Sequence, residues 1–311
     1  MTPDLQSYDW IVVNSSAGKD SQAMLDYVVE LADAAGVRDR LVVLHCDLGK
    51  SPRGHDIEWP GTLDLAREHA EHYGLRFIVA RRGHQGFLET VRHLQHWPRS
   101  ETRYCTSYFK RDQGNKVMTA LAKEARDLVS EIRHRGMFPS TDRRYCTSYF
   151  KRDCAATAIT QLAGESREWG SQVPRILQCF GFRAQESPRR RKLQVLATDK
   201  RISNSRKRVD VWLPIHGWTV EQVWERIGAA GTRHHYAYDR GMTRLSCRFC
   251  IFAPLGQLMI SARENPELFA EYVQLEKDIG HTFRVNLPLA EVDRLVKAGT
   301  AAPADDGAWN M

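Results

Sequence analysis

The chain has 311 residues, 42% hydrophobic and 27% charged, an ordinary globular balance that suits one large domain or a core domain with an appendage. No apolar stretch approaches the roughly 20 residues of a membrane span, so no membrane role is expected. The net charge of +7 favours polyanionic partners such as nucleotides or nucleic acid.

The opening MTPDLQSYDW has neither the basic nor the apolar region of a secretory signal, so the expected location is the cytoplasm. Seven cysteines, an odd number in a cytosolic-looking chain, argue against a disulfide framework. Metal or cluster ligation, or redox chemistry, is the better use for the spaced ones.

In chain order, residues 10–16 (WIVVNSS) predict a buried strand ending in small residues. A helix follows from Lys19 to about Ala35, with Met24, Leu25, Val28, Val29 and Leu31 on one face. Residues 41–46 (LVVLHC) predict a second strand, ending at Asp47-Leu48-Gly49. A helix over 60–74 stops near Gly74, and 76–80 (RFIVA) is a third strand. This β-α-β-α-β alternation predicts an α/β fold, a Rossmann-like open parallel sheet with helices on both faces.

The middle of the chain is duplicated. RYCTSYFKRD occurs at 103–112 and, identically, at 144–153. The repeated unit reads as helix, Pro-containing turn, Cys-Thr box and helix. A strand over 175–181 then runs into Arg183-Ala184-Gln185-Glu186-Ser187. Nine Lys or Arg and one acid, Asp199, lie between Arg189 and Arg208. That segment is expected to be a solvated, mobile loop or a basic flap over an anionic substrate. Residues 209–213 predict a strand, 219–229 and 265–279 predict helices, and Cys247-Arg248-Phe249-Cys250 falls in a loop. The expected divisions are 1–86, the first half of the α/β core; 87–167, the duplicated unit; 168–230, the rest of the core; 231–297, the CxxC region and C-terminal helices; and a disordered tail, 298–311.

Ser15-Ser16-Ala17-Gly18-Lys19-Asp20-Ser21 sits where the first strand gives way to the first helix. Small residues let backbone approach a phosphate, helix N–H groups and dipole attract the anion, and a lysine neutralises charge as it shifts. No glycine stands five positions before Gly18-Lys19, which excludes a Walker loop, and the segment is no GxGxxG. The ends of strands at a switch point are the usual ligand position in such a sheet. The segment is therefore expected to bind an adenine nucleotide.

SSAGKDS resembles the SxGKDS loop of the PP-loop ATP pyrophosphatases. The wider chain is similar to the phosphoadenosine phosphosulfate (PAPS) reductase family of that superfamily. The resemblance runs in order through Asp47-Leu48-Gly49, Arg144-Tyr145-Cys146-Thr147 with Lys151, Gly181-Phe182-Arg183 with Glu186-Ser187 and Arg190, Pro214-Ile215 with Trp218, Val223 and Trp224, and Tyr238-Asp239 with Gly241 before Cys247 and Cys250. It covers about 10–250. Enzymes that reduce PAPS or adenosine phosphosulfate generally lack the loop lysine, whereas this chain keeps Lys19, Asp20 and Ser21. The resemblance therefore implies ATP cleavage to AMP and pyrophosphate, with magnesium, in support of sulfur transfer. Release of sulfite from PAPS and a non-catalytic nucleotide-binding protein are the alternatives.

Within that resemblance, Lys19, Asp20, Lys151 and Arg183 are the catalytic candidates. Ser15 to Ser21, Asp47, Gly181, Arg183, Glu186, Ser187 and Arg190 are the nucleotide-binding ones. Arginine forks suit phosphate or sulfate oxygens, and Asp47 could hold magnesium or a ribose hydroxyl. Lys151, with Lys110, could meet the anionic substrate. Similar proteins hold a 4Fe–4S cluster with such cysteines. Two arrangements stay open: Cys146, Cys247 and Cys250 with one iron free, or Cys105 as a fourth ligand. Zinc is the competing metal, with His216, His234, His235 and His281 nearby in sequence. Cys46, Cys154 and Cys179 are expected to be buried bystanders. Nucleic acid or a sulfur-donor protein is the partner class implied, and homo-oligomerisation stays open.

Overall fold

The computed structural model describes residues 2–81, 127–140 and 142–303. The repeat copy at 103–112, with Cys105 and Lys110, lies outside the described residues.

Trp10–Ser15 forms β1, Leu41–Asp47 β2, Arg76–Arg81 β3, Arg175–Cys179 β4, Leu196–Thr198 β5 and Arg208–Trp212 β6. The sheet order is β3-β2-β1-β4-β6-β5. All neighbours are parallel except β5 and β6. β1 and β2 are buried almost throughout, as befits parallel strands covered on both faces. The chain order reverses between β1 and β4, so the crevice beyond their C-terminal ends is the natural ligand position.

Helices α1 (Lys19–Ala34), α2 (Thr62–His72), α3 (Leu128–Arg135), α4 (Asp153–Glu168), α5 (Val220–Ala230), α6 (Leu255–Glu264), α7 (Pro266–Ile279) and α8 (Leu289–Lys297) complete the described fold. Strand periodicity assigns the two sheet faces. Ile11, Val13, Val43 and Leu177 point to one side and pack with Met24, Val28 and Ala32 of α1 and Val223 and Ile227 of α5. Val12, Val42, Leu44 and Ile176 point to the other and pack with Ala155, Ile159 and Leu162 of α4. The expected arrangement, helices on both faces of a mainly parallel sheet, is what forms.

Entry into α4 is irregular. A helical turn, Tyr145–Thr147, runs into a π-type turn, Ser148–Arg152, before α4 begins. Such single wide turns insert a residue and re-aim side chains, and they cluster at functional sites. Here the turn spans Lys151 just after Cys146.

The basic stretch differs from its expectation as a mobile loop or flap. It carries a helical turn, Pro188–Arg191, and the antiparallel edge strand β5. Ladder pairing to β6, the Lys207 bond to Thr160 Oγ1 (2.6 Å) and the Arg201–Asp153 ion pair (3.6 Å) tie it down. Arg190, Arg201, Lys207 and Arg208 meet local partners, while Arg189, Arg191 and Lys192 are exposed.

α3 and α6–α8 build a separate core with Leu48, Ile57, Phe138 and Tyr145. Phe138 stands edge-on to Phe283 at 5.3 Å, and Phe249 meets Tyr272 at 5.1 Å. α6 and α8 lie within 231–297, where C-terminal helices are expected but only 265–279 is given bounds. Among the described residues no helix is long and apolar enough to cross a membrane.

Candidate active site

The segment 15–21 forms the β1–α1 turn. Gly18 caps α1 without a side-chain bond to the helix; the Tyr238 hydroxyl takes the Lys19 N–H (2.9 Å), at the helix end that favours an approaching anion. Ala17, fully buried, has φ +54°, the left-handed region that side chains other than glycine seldom enter. Strain of this kind costs about 1–3 kcal/mol and persists where surroundings enforce it, commonly at ligand sites. The serines enforce it here. Ser15 Oγ accepts from Ala17 N (3.2 Å), Ser21 Oγ accepts from Ser16 N (3.2 Å), and the Ser21 hydroxyl donates to the Gly18 carbonyl (2.9 Å).

Gly181, just past β4, lies directly against α1. A β-carbon there would stand 2.8 Å from the Asp20 carbonyl oxygen and 2.9 Å from its carbonyl carbon. Its lack of a side chain lets the post-β4 segment meet the loop at the switch point.

Charge converges on this contact. Lys19 is 5% exposed, donates to the Thr243 carbonyl at 2.8 Å and lies 3.6 Å from Asp20. Burial pushes its pKa below the usual lysine value, and Arg183 and Arg244 push the same way against Asp20. Arg183 Nε donates to Asp20 at 2.5 Å, and the Arg183 main-chain N–H donates to Glu186 at 2.8 Å. Glu186 also pairs with Arg190 and, at 3.2 Å, with Arg244. Ser187 Oγ accepts from Arg190 N at 3.2 Å. Burial and the neighbouring Arg244 lower the Arg190 pKa to about 10. Lys19, Arg183, Arg190 and Arg244 thus converge around Asp20 and Glu186, a cluster of cations of the kind that suits a polyphosphate.

Sequence reasoning brought Lys19, Asp20, Gly181, Arg183, Glu186, Ser187 and Arg190 to this place. It missed Arg244 and Thr243, which follow no strand and sit in no motif; only the fold returns them to the loop. Tyr238, part of the family resemblance, accepts the Lys19 main-chain N–H at 2.9 Å, and its ring stands 5.4 Å from the ammonium. Asp47 lies at the end of β2, where it accepts from Arg81 at 2.5 Å and from Gly49 N at 2.7 Å.

Cys146, Cys247 and Cys250 form a second centre, half-buried against the core of α3 and α6–α8. The Cys247 and Cys250 thiols influence each other, the charge of Cys146 is felt at Cys247, and that of Cys250 at Cys146. The Cys247 thiol lowers the Cys250 pKa to about 6, with further help from the Phe252 N–H, Lys151 and Arg244, against burial. Burial raises that of Cys146. Lys151 lies here rather than at the loop. Burial opposes its charge, but Glu58 and the three thiols together raise its pKa. Glu58 was not a candidate from sequence. Among the described residues no group of three or more His, Cys, Asp or Glu closes into a metal-binding geometry. His216, His234 and His235 are bonded instead to the Arg190 carbonyl, Asp239 and the Thr62–Pro60 turn. Cys46 and Cys154 donate to the carbonyls of Lys151 and Tyr149, and burial pushes the Cys46 thiol up to about 12.

Residues 10–253 match the family model of the phosphoadenosine phosphosulfate reductase domain, a span that takes in the loop and all three thiols. This chain belongs to that family. Membership of the PAPS reductase family places it among enzymes built on a nucleotide-binding α/β fold. No curated protein matches the sequence. Among solved structures it is similar to a PAPS reductase from Candida auris in a phosphate complex: 15% identity, 78% of this chain and 83% of that one, TM-score 0.42. It is also similar to Candida glabrata FMN adenylyltransferase with FMN and an ATP analogue: 13% identity, 76% and 53% covered, TM-score 0.39. A third is the U34-tRNA thiolase of Methanococcus maripaludis with its 4Fe–4S cluster: 11% identity, 98% and 80% covered, TM-score 0.35. With scores this low, the family assignment rests on the sequence model.

Proposed function

We propose that this PAPS reductase family member cleaves ATP between its α and β phosphates, releases pyrophosphate and supports sulfur transfer at the thiol centre. The observation that carries the reading is Lys19, buried in an intact 15–21 loop beside Arg183, Arg190 and Arg244. In the reaction, the first turn of α1 and the three arginines would hold the phosphates. Lys19, freed from Asp20 and the Thr243 carbonyl, would offset the charge that gathers on the leaving pyrophosphate. Arg183 would swing little, because Asp20 and Gln185 already hold its fork. Asp47 would exchange Arg81 or Gly49 for magnesium or a ribose hydroxyl.

The donor chemistry of Cys146, Cys247 and Cys250 fits an iron–sulfur cluster: soft thiols in an apolar shell, with Lys151 to offset negative charge. Those three would hold it, with Cys105 the candidate for a fourth place. When bound, such a group supplies a site for a sulfur species. Of the four histidines weighed for zinc, His216, His234 and His235 are bonded elsewhere. Arg189, Arg191 and Lys192, exposed on the turn that carries Arg190, suit nucleic acid or an acidic sulfur-donor protein as partner.

Pyrophosphate release from ATP and magnesium tests the reading. The wild type is expected to release it, and Lys19→Ala to lose at least about 100-fold in rate. The family itself favours one second reading, reductive release of sulfite from PAPS. Turnover of PAPS with thioredoxin, and none of ATP, would establish that one instead. Stoichiometric zinc without iron in anaerobically purified protein would remove the cluster.

A further inference from the structure

His45 lies on β2, 1% exposed, between two acceptors. Its Nδ1 faces the Ser15 carbonyl at 3.0 Å and its Nε2 faces the Glu58 carboxylate at 3.3 Å. Carbonyl and carboxylate oxygens only accept, so the ring meets both by donating from both nitrogens. Ser15 opens the nucleotide loop, so one end of this link is fixed on that loop.

Glu58 faces the other centre. Its main chain pairs with Cys247 in an antiparallel bridge, and its carbonyl accepts from Arg248 Nε at 2.7 Å. Its carboxylate also accepts from Leu48 N at 3.4 Å and sets the charge at Lys151, beside the thiols. A single residue therefore touches, through its side chain, the ring that holds Ser15 and, through its backbone, a thiol-bearing segment.

We propose that His45 and Glu58 form a strut that couples occupancy of the nucleotide loop to the geometry of the thiol centre. The inference rests on the ATP-binding reading above. Phosphates entering the loop shift the Ser15 carbonyl; His45 carries the shift to Glu58, and the bridge carries it to Cys247. Both are positioning residues, and neither takes part in a chemical step. Coupling between two ligands is reciprocal, so a metal on the thiols changes ATP affinity by the factor that ATP changes metal affinity.

The test uses the full-length, reduced, metal-free protein with ATP and magnesium as the probe. ATP affinity is measured by equilibrium dialysis, and iodoacetamide labelling rates at Cys146, Cys247 and Cys250 by peptide mass spectrometry. Saturating ATP is expected to change the Cys247 rate at least about fivefold, the lower end of ordinary coupling. Glu58→Ala is expected to bind ATP with affinity within about threefold of wild type and to lose the labelling response. His45→Asn keeps a donor where Nδ1 stands, is too short to reach Glu58, and is expected to behave alike; it carries the test if Glu58→Ala does not fold. Zinc on the thiols of the wild type gives the reciprocal measurement, a shifted ATP affinity. A variant that keeps the full response overturns the strut. Wild-type thiols indifferent to bound ATP overturn the coupling and leave the ATP reading intact. Absence of ATP binding overturns that reading and the coupling together.

Discussion

Gly181 has no room for a side chain. The obstacle is the main chain of Asp20 and Ser21, not a side-chain tip that can swing aside. Gly181→Ala would therefore displace the first turn of α1, at a cost of about 1–3 kcal/mol in stability. ATP affinity is expected to fall with it by about tenfold or more. Gly217→Ala, where a β-carbon meets nothing within 4 Å, is the control for thermal melting and ATP binding. Residues in one short run were legible from sequence, because Ser15 to Ser21 are consecutive and their chemistry is local. Arg183, Glu186 and Arg190 were legible because they follow a strand end. Arg244 was not: its place beside Glu186 depends on how the 233–245 segment packs, through Tyr238 and Leu245, over the loop.

Elements followed their periodicity where burial was one-sided or complete. β1, β2, β4 and β6 lie within a residue or two of their expected spans, since apolar β-branched runs have one stable home in a covered parallel sheet. α5 starts where its capping box dictates: Thr219 Oγ1 accepts from Gln222 N, and Gln222 Oε1 accepts from Thr219 N at 2.9 Å. Thr219→Ala is expected to cost about 1 kcal/mol, read as a lower denaturation midpoint with ATP binding unchanged. β5 escaped the sequence reading. Three residues at the end of the short run Leu193–Thr198, inside a basic stretch, are too few to carry a strand pattern, and only the free edge of β6 gives them partners. The π-type turn at Ser148–Arg152 escaped as well, because its residues are those of an ordinary helix; the packing of Phe150 and Tyr149 against a second core decides it.

At the scale of the molecule, the thiols sit against the core built outside the sheet. The family model ends at residue 253, yet α6–α8 beyond it complete the core that shelters Cys146, Cys247 and Cys250. Glu276 ties this part together: its carboxylate accepts the main-chain N–H groups of Phe283 (2.6 Å) and Leu289 (2.9 Å). Glu276→Ala leaves both donors unpaired in a buried place, at an expected cost of about 1–3 kcal/mol. Faster iodoacetamide labelling of the three thiols is the expected signature.

The sequence by itself determined the α/β class, the place of the 15–21 loop between β1 and α1 and the family, because each is written in local pattern: strand periodicity, small residues before a helix, a lysine in place. The tertiary structure alone decided which distant charges join that loop, that the basic stretch closes a sheet edge, and that Lys151 faces thiols. Those outcomes depend on long-range packing and on electrostatic partners more than a hundred residues apart, such as Asp20 and Arg183, and no spacing in the chain encodes them.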